Sequence, residues 1–500
     1  MDTQQYLPVY NGARLVVVDS GQIAQYDLEQ KPQWRLGRED RNIQHVPDVP
    51  LHSMIASREH GEFRFQSGQW MYFDNPGNKN GTFYNGYKLP RGLQTAGIVL
   101  RDGDVLRVDS ATLSCCSNVG VLLLFTTSDI PGRWTALPLP PAGALRIGRG
   151  RHCEIVEPYP YISSEHARIS AVNGVYVLED RKSKAGTYLN GSRITRPQPL
   201  QEKDRISICD HNYFLVGNQL LFVSRAEEKR LTHATRVSDR RVVLRADIGS
   251  KKVKNNAGSG TKELLRDIHL EIREGNLVAL LGTAGAGKST VMNCLNGMDT
   301  AGVEGSIVYR GVDLIHNYDQ MRSRIGSVPQ TKTFHKTFTP EKEFWFAAKK
   351  RLPADTTDQE IQQRVDETLR MLNIDGIRRN RISKLSGGEQ TRVNVGIELV
   401  ADRELLCLDE PDQGLDPKTK HVLFEILRDL AHQHDKTIVS IIHDVSEIDM
   451  FDQLILLTKV DGVGRQAFSG TPAEARRIFG VEDIRQVYSL VDRNPGQYVR

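Results

Sequence analysis

Two kinds of hydrophobic periodicity divide this chain. Up to about residue 225, short runs alternate apolar and polar side chains between Gly, Asn and Asp turns, as in GEFRF (61–65), WMYFD (70–74), GVYVLED (174–180) and LLFVS (220–224). Successive side chains of a strand point to opposite faces, so this alternation predicts β-sandwiches. From Val242 onward, strand-like runs alternate with helical stretches, the pattern of an α/β domain. VALLG (Val278–Gly282) predicts a short buried strand entering a Gly-rich turn, with a helix from about Lys288. Apolar spacing predicts a helix over Ile361–Ile374, and a second is expected over Gln390–Val400. LLCLDEP (405–411) and TIVSIIH (437–443) read as two more buried parallel strands.

The β-rich half repeats itself. Leu36–Arg38 (LGR) returns as Ile147–Arg149 (IGR), Ser57–Phe63 (SREHGEF) as Ser163–Ile169 (SSEHARI), and Asn80–Gly86 (NGTFYNG) as Ala185–Gly191 (AGTYLNG). An offset of 106 residues for the second block and 105 for the third marks a domain duplication, not a solenoid. The expected organisation is a first sandwich at 1–128, a second at 129–225, a charged linker at 226–241, the α/β domain at 242–480 and a tail at 481–500.

Composition narrows the class. Five hundred residues exceed one compact core, and 39% hydrophobic with 26% charged residues is ordinary for a soluble globular protein. A net charge of +4 is small for this length and makes no strong case for nucleic-acid binding. Six cysteines without a CxxC pair argue against a disulfide framework or zinc site and fit a reducing compartment. MDTQQYLPVY has no signal-peptide character, and the longest apolar run, about Val119–Phe125, is far below the ~20 residues of a spanning helix.

The strongest chemistry lies at Gly282-Thr283-Ala284-Gly285-Ala286-Gly287-Lys288-Ser289-Thr290. GxxxxGK[ST] has a chance count of only ~0.02 in a chain of this length. Its glycines let backbone N–H groups converge on phosphates at the positive end of a helix. Lys288 is suited to neutralising the β/γ oxygens and Ser289 to ligating Mg²⁺. The apolar residues before Asp409 place its carboxylate at a strand end beside this loop, where it helps to hold the magnesium ion through its water shell. Glu410 follows directly and is the candidate for polarising an attacking water.

With LSGGE (Leu385–Glu389) the sequence resembles the ATP-binding cassette (ABC) family over roughly 242–480. The resemblance implies that two cassettes dimerise head to tail around two ATP molecules. Ser386, Gly387 and Gly388 would then contact the γ-phosphate held by the Lys288 loop of a second copy. Gln330 would sense Mg²⁺ and γ-phosphate, His443 would hold the γ-phosphate and attacking water, and Asp416 would communicate across the interface. VPQTKTFHKTFTPEKEFWFAAKKRLP, ELVADRELLCLDEPDQGLD and AFSGTPAEARRIFG resemble the G-type exporter branch. DEPDQGLD departs from the usual DEPTSGLD, and no clear aromatic for adenine precedes the Gly-rich loop. Members of that branch usually continue into six membrane helices, so a separate permease subunit is expected.

The repeated Gly-Arg, Ser-x-x-His and Asn-Gly-Thr constellation resembles the forkhead-associated (FHA) domain, a β-sandwich that binds phosphothreonine peptides. A phosphothreonine dianion calls for a guanidinium and short donors. By that resemblance Arg38, Ser57 and Arg58 contact phosphate, Asn80 bonds the peptide backbone beside Lys79, and Gly37 and His60 brace the loops. The second copy keeps Arg149, Ser163 and His166 but has Ser164 and Ala185 where the first has Arg58 and Asn80.

The fold class expected is therefore two all-β FHA-type sandwiches followed by an α/β P-loop NTPase cassette with a helical subdomain. The expected function is the ATP- and Mg²⁺-dependent ATPase of a transporter, homodimeric, on the cytoplasmic face of the cell membrane, gated by phosphothreonine recognition and not binding nucleic acid. The alternatives are a non-transport cassette ATPase acting as a phospho-regulated signalling or assembly switch, and a phosphopeptide scaffold with a dead cassette. Retention of Lys288, Gln330, Ser386, Asp409, Glu410 and His443 argues against the last. Thr232 and Thr235, beside basic residues in the linker, are candidate phosphorylation sites for tethered capture by an FHA domain. Unchanged phosphate-dependent self-association after both become alanine would remove that idea.

Overall fold

The computed structural model describes residues 5–6, 13–20, 22–40, 46–66, 69–84, 87–89, 97–100, 104–109, 120–126, 134–202, 204–223, 242–254, 260–493 and 495–499. The linker threonines Thr232 and Thr235 lie outside them. The chain forms two compact units, one holding both sandwiches and the other the cassette.

Each sandwich is two sheets. In the first, strands including Arg14–Asp19, Val121–Thr126 and Val105–Val108 face a sheet built on Gln33–Arg38, Gly61–Gln66 and Gln69–Asp74. Leu15, Leu36, Phe63, Trp70, Tyr72, Leu106, Leu123 and Phe125 fill the space between them. The second repeats the plan with Trp134–Pro138, Arg205–Ile208, His211–Val216 and Gln219–Val223 against Ala144–Gly148, Ala167–Val172 and Val175–Asp180. Gln5–Tyr6 pairs with Trp134–Pro138 and so joins the sheet of the second copy.

The uninterrupted apolar run near residue 120 now has its reason. In Val121–Thr126, Leu123 and Phe125 point into the first core, while Leu122 and Leu124 pack with Val16 and Val18 against Ala136, Phe214, Val216 and Leu221 of the second sandwich. A strand buried on both faces loses its alternation.

In the cassette, Ile325–Val328, Leu405–Asp409, Thr437–Ile441, Leu277–Gly282 and Gln453–Val460 lie side by side in that order, each parallel to its neighbour. Four of these strands therefore deliver Gly282, Asp409, the approach to His443 and the approach to Gln330 to one edge, where α/β sheets bind ligands. Antiparallel strands, Val242–Lys254, Thr261–Arg273 and Val303–Tyr309, extend the sheet.

The helical stretches run Lys288–Leu295, Asp358–Met371 and Gly387–Leu399, the last beginning three residues before the expected Gln390. The early start follows from local chemistry. Ser386 and Glu389 form a capping box, with the Ser386 hydroxyl accepting from the Glu389 N–H and the Glu389 carboxylate accepting from the Ser386 N–H. Thr357 and Glu360 start the preceding helix in the same way. Phe344, Val365, Leu369, Leu372, Val393 and Ile397 carry one apolar core from the helical subdomain toward the parallel sheet. No helix among the described residues is long and apolar enough to cross a membrane.

Candidate functional site

The phosphate loop forms because its glycines occupy backbone space closed to other residues. Gly282, Gly285 and Gly287 have φ of 155°, 75° and 90°. A Cβ at Gly282 would lie 2.6 Å from the Leu457 carbonyl oxygen, and one at Gly287 would lie 2.6 Å from Leu265 Cδ2. Gly287 caps the helix that opens with Lys288, Ser289 and Thr290, so the N–H groups of the first turn face the loop.

Lys288 Nζ donates to the carbonyls of Gly282 (2.8 Å) and Thr283 (3.3 Å). Burial pushes its pKa down, opposed by the charges of Glu410 and Asp409. Asp409, at the end of its strand, is pushed up by burial and by Glu410, against the pull of His443 and Lys288. A dehydrated ammonium and a dehydrated carboxylate on either side of a donor-lined loop suit a polyanion and its cation. Among the described residues no group of three or more His, Cys, Asp or Glu could hold a metal. A divalent cation at this loop would take phosphate oxygens among its ligands, the ordinary habit of Mg²⁺.

Glu410 is the most tightly held side chain of the site. Its φ of 48° is left-handed, a strain of about 1–3 kcal/mol for a non-glycine residue. His443 Nε2 lies 2.6 Å from Glu410 Oε1, and Gln330 Nε2 donates to Glu410 Oε2 at 2.9 Å. The structure thus brings together Gln330, Glu410 and His443, which are separated by 80 and 33 positions in sequence.

Gln413 joins them, and a Lys420–Asp444–Asp412 cluster lies close by in sequence. Gln413 Nε2 donates to Glu410 Oε2 (3.2 Å), and Gln413 Oε1 accepts from Gln330 Nε2 (3.1 Å). Lys420, buried on helix Pro417–Gln433, donates to Asp444 at 2.5 Å and lies 3.8 Å from buried Asp412. Burial raises the Asp412 pKa, while the Lys420 hydrogen bond lowers that of Asp444. The only sequence signal for Asp412 and Gln413 was the departure from DEPTSGLD.

Ser386 is committed at home to its capping box, and Lys332 Nζ donates to the Gly387 carbonyl at 2.9 Å. A Cβ at Gly388 would come within 2.1 Å of Thr419 Cγ2. Asp416 caps helix Pro417–Gln433, accepting from the Thr419 N–H and hydroxyl, which lowers its pKa.

In the first sandwich a buried relay braces the loops. The Ser57 N–H donates to His60 Nδ1 (3.1 Å), His60 Nε2 meets the Thr82 hydroxyl (3.1 Å), and Thr82 donates to Asp74 (2.5 Å). His60 is fully buried, and burial brings its pKa down to about 4, so it works as a neutral strut. Gly37 is required by space, since a Cβ there would meet the Arg58 carbonyl oxygen at 1.8 Å. Arg38 donates to the Met54 carbonyl at 3.3 Å, Arg58 pairs with Asp40 at 2.9 Å, and Asn80 donates to the Ile55 carbonyl at 2.9 Å. Lys79, next to Asn80, is exposed. Arg38 therefore ends strand Gln33–Arg38, while Ser57, Arg58, Lys79 and Asn80 sit on the loops beside it.

In the second copy the hydroxyl-to-carboxylate bond returns, with Asp180 accepting from Thr187 (2.7 Å) and also from Ser183 (2.5 Å), while His166 Nε2 meets the Gly186 carbonyl at 3.2 Å. Arg149 follows strand Ala144–Gly148, Ser163 lies in the loop before Ala167–Val172, and Ala185 is buried.

This geometry defines an α/β cassette with a phosphate-loop motif, in one chain with two loop-presenting β-sandwiches. The comparisons give the families. Residues 265–413 match the ABC transporter model, and residues 34–109 and 145–209 match the FHA domain model. Over those residues the chain carries two FHA domains and an ABC transporter cassette. The ABC transporter ATP-binding/permease protein Rv1747 of Mycobacterium tuberculosis is 33% identical over 368 residues, covering 73% of this chain and 40% of its own, and shares the FHA-plus-cassette arrangement. The sulfate/thiosulfate import ATP-binding protein CysA of Bacillus cereus is 34% identical over 43% of this chain and 59% of its own. ABC transporter G family member 26 of Arabidopsis thaliana is 30% identical over 48% of this chain and 34% of its own. The chain thus spans less than two thirds of the length of each of these relatives. A solved dimeric ATP-binding cassette, bound to ADP and phosphate, aligns with 45% of this chain and 98% of its own at 23% identity and a TM-score of 0.39.

Proposed function

We propose that this chain is the ATP-hydrolysing part of an ABC transporter, closing as a head-to-tail homodimer on ATP to drive a membrane permease, under control of phosphothreonine recognition by its FHA loops. The observation that carries the reading is Glu410, pinned between His443 and Gln330 at the strand end next to the Lys288 loop. Ser289, Gln330 and Asp409 would hold Mg²⁺, which when bound screens phosphate charge and polarises the γ-phosphate. Lys288 exchanges its two loop carbonyls for β/γ-phosphate oxygens and regains the counter-charge that burial denies it. Glu410 orients the attacking water and accepts its proton, with His443 fixing the carboxylate from the other side.

Ser386, Gly387, Gly388 and Asp416 supply the surface for the second copy. The Ser386 cap presents a helix N-terminus, whose exposed N–H groups favour a γ-phosphate arriving from outside the chain. Closure on nucleotide and reopening after hydrolysis are the stroke given to the permease. The Mycobacterium tuberculosis relative is an ABC transporter ATP-binding/permease protein. Working on cytoplasmic ATP places this cassette at the inner face of the membrane.

With turnover blocked by Glu410→Gln, MgATP is expected to double the hydrodynamic mass of the purified chain. A chain that stays at the mass of one copy under saturating MgATP overturns the dimeric motor.

A further inference from the structure

The Gln413 contacts carry a role that the family pattern, with serine at this place, does not supply. We propose that Gln413 is a positioning residue of the ATPase reaction, an amide latch that fixes which way the Gln330 side chain faces. The inference rests on the ATPase reading above and concerns how its cation- and phosphate-sensing glutamine is aimed.

An amide nitrogen has two hydrogens. Gln330 Nε2 spends one on Glu410 Oε2 at 2.9 Å and the other on Gln413 Oε1 at 3.1 Å. Gln413 Nε2 closes the ring on the same Glu410 oxygen at 3.2 Å. Rotating the Gln330 amide by half a turn would set its oxygen against two acceptors, so the ring admits one orientation only. In that orientation Gln330 Oε1 takes no part in the ring and is left for a cation. His443 occupies the other carboxylate oxygen, Oε1, so Glu410 Oε2 is held by the two glutamines together.

The chain makes this latch locally. The left-handed turn at Glu410 and the hydrogen bond from the Gln413 N–H to the Glu410 carbonyl (3.2 Å) fold position 413 back over the carboxylate. A serine there ends two bonds short of an amide, so its hydroxyl, though both donor and acceptor, does not reach the positions of the Gln413 Nε2 and Oε1 atoms. Gln413 is exposed, so removing it costs the fold little.

The test is a double-mutant cycle on the full chain, with Gln413→Ala, Gln330→Ala and the double variant, plus Gln413→Glu. Three quantities are read: ATP turnover, affinity for the non-hydrolysable analogue AMP-PNP with Mg²⁺ or with EDTA, and Tm. Gln413→Ala is expected to lower kcat about tenfold, to reduce the Mg²⁺-dependent gain in AMP-PNP affinity about fivefold, and to leave EDTA affinity and Tm unchanged. In the Gln330→Ala background the same change should alter kcat less than about twofold. Gln413→Glu, which faces Glu410 with a like charge, should exceed the alanine loss. A Gln413→Ala protein with parental turnover and parental Mg²⁺ gain overturns the latch, as does an equal loss in both backgrounds. A parent chain without turnover would instead overturn the ATPase reading, while the AMP-PNP cycle would still decide the latch.

Discussion

The nucleotide loop and the first FHA loop end are both candidate phosphate sites, yet they are built in opposite ways. At Gly282–Thr290 the candidate recognising groups are backbone N–H groups, set by positive-φ glycines between a buried strand and a helix. At Arg38, Ser57, Arg58 and Asn80 they are side chains at a strand end and on the loops beside it, set from behind by a buried neutral histidine. Backbone recognition is fixed by a contiguous motif, whereas side-chain recognition depends on contacts between distant segments. The first site should therefore fail when its chemistry is removed, and the second when its bracing is.

The largest effect tests the chemistry. Glu410→Gln is expected to cut ATP turnover at least about 100-fold while retaining ATP binding, since the amide keeps the shape and loses the base. Lys288→Ala should lose binding as well, because it removes the cation that faces the phosphates. Equilibrium nucleotide binding beside steady-state hydrolysis separates the two outcomes. Parental turnover by Glu410→Gln would remove Glu410 from its role.

That contrast also explains what could be read before the fold was known. Lys288, Ser289 and Asp409 were legible because each belongs to a motif whose context, strand then turn or strand end, is itself written in the hydrophobic pattern. Gln413 was not, since its partner Gln330 is 83 positions away and a single left-handed residue brings the two together. The run at Val121–Phe125 could be measured against a membrane span but not interpreted, because its second buried face belongs to the packing of one sandwich on the other. Likewise His60 and His166 look alike in SxxH, yet one is bonded to a hydroxyl and the other to a backbone carbonyl.

The bracing is tested by acid. His60 has a folded pKa of about 4, below its ordinary 6.5, so the unfolded chain binds more protons between these values. The stability from keeping His60 neutral is fully present above pH 6.5 and is lost as pH falls toward 4. The full loss is roughly 3 kcal/mol, as 1.36 kcal/mol per unit requires. With Trp134 and Trp345 replaced by phenylalanine, buried Trp34 and Trp70 report the first sandwich, and their fluorescence in urea titrations at pH 7 and pH 4.5 should show the fall. An unchanged midpoint would contradict a neutral strut.

Binding comes next in size. Arg38→Ala is expected to weaken a phosphothreonine peptide by about 1.5–3 kcal/mol, the value of a hydrogen bond to a charged group. Arg149→Ala should matter less, because its loop end lacks the cation and amide of the first copy, with Ser164 and Ala185 in their places. Titrating one phosphopeptide against both variants ranks the copies, and equal losses would show that the two share the ligand evenly.

The smallest effect is the sharpest for the side-chain site. Asn80 Nδ2 already donates to the Ile55 carbonyl at 2.9 Å, joining the loop after Asp74 to the one that carries Ser57. The amide has a second hydrogen and a carbonyl oxygen to give to a peptide backbone. Asn80→Ala should therefore cost about 1 kcal/mol of peptide affinity, near fivefold. Asn80→Asp keeps the size but loses the donor to Ile55 and adds a negative charge at a dianion site, so it should bind more weakly than the alanine variant. If the Asn80→Asp protein bound the peptide as well as the parent, position 80 would be packing alone, and the first copy would differ from the second at this point only in shape.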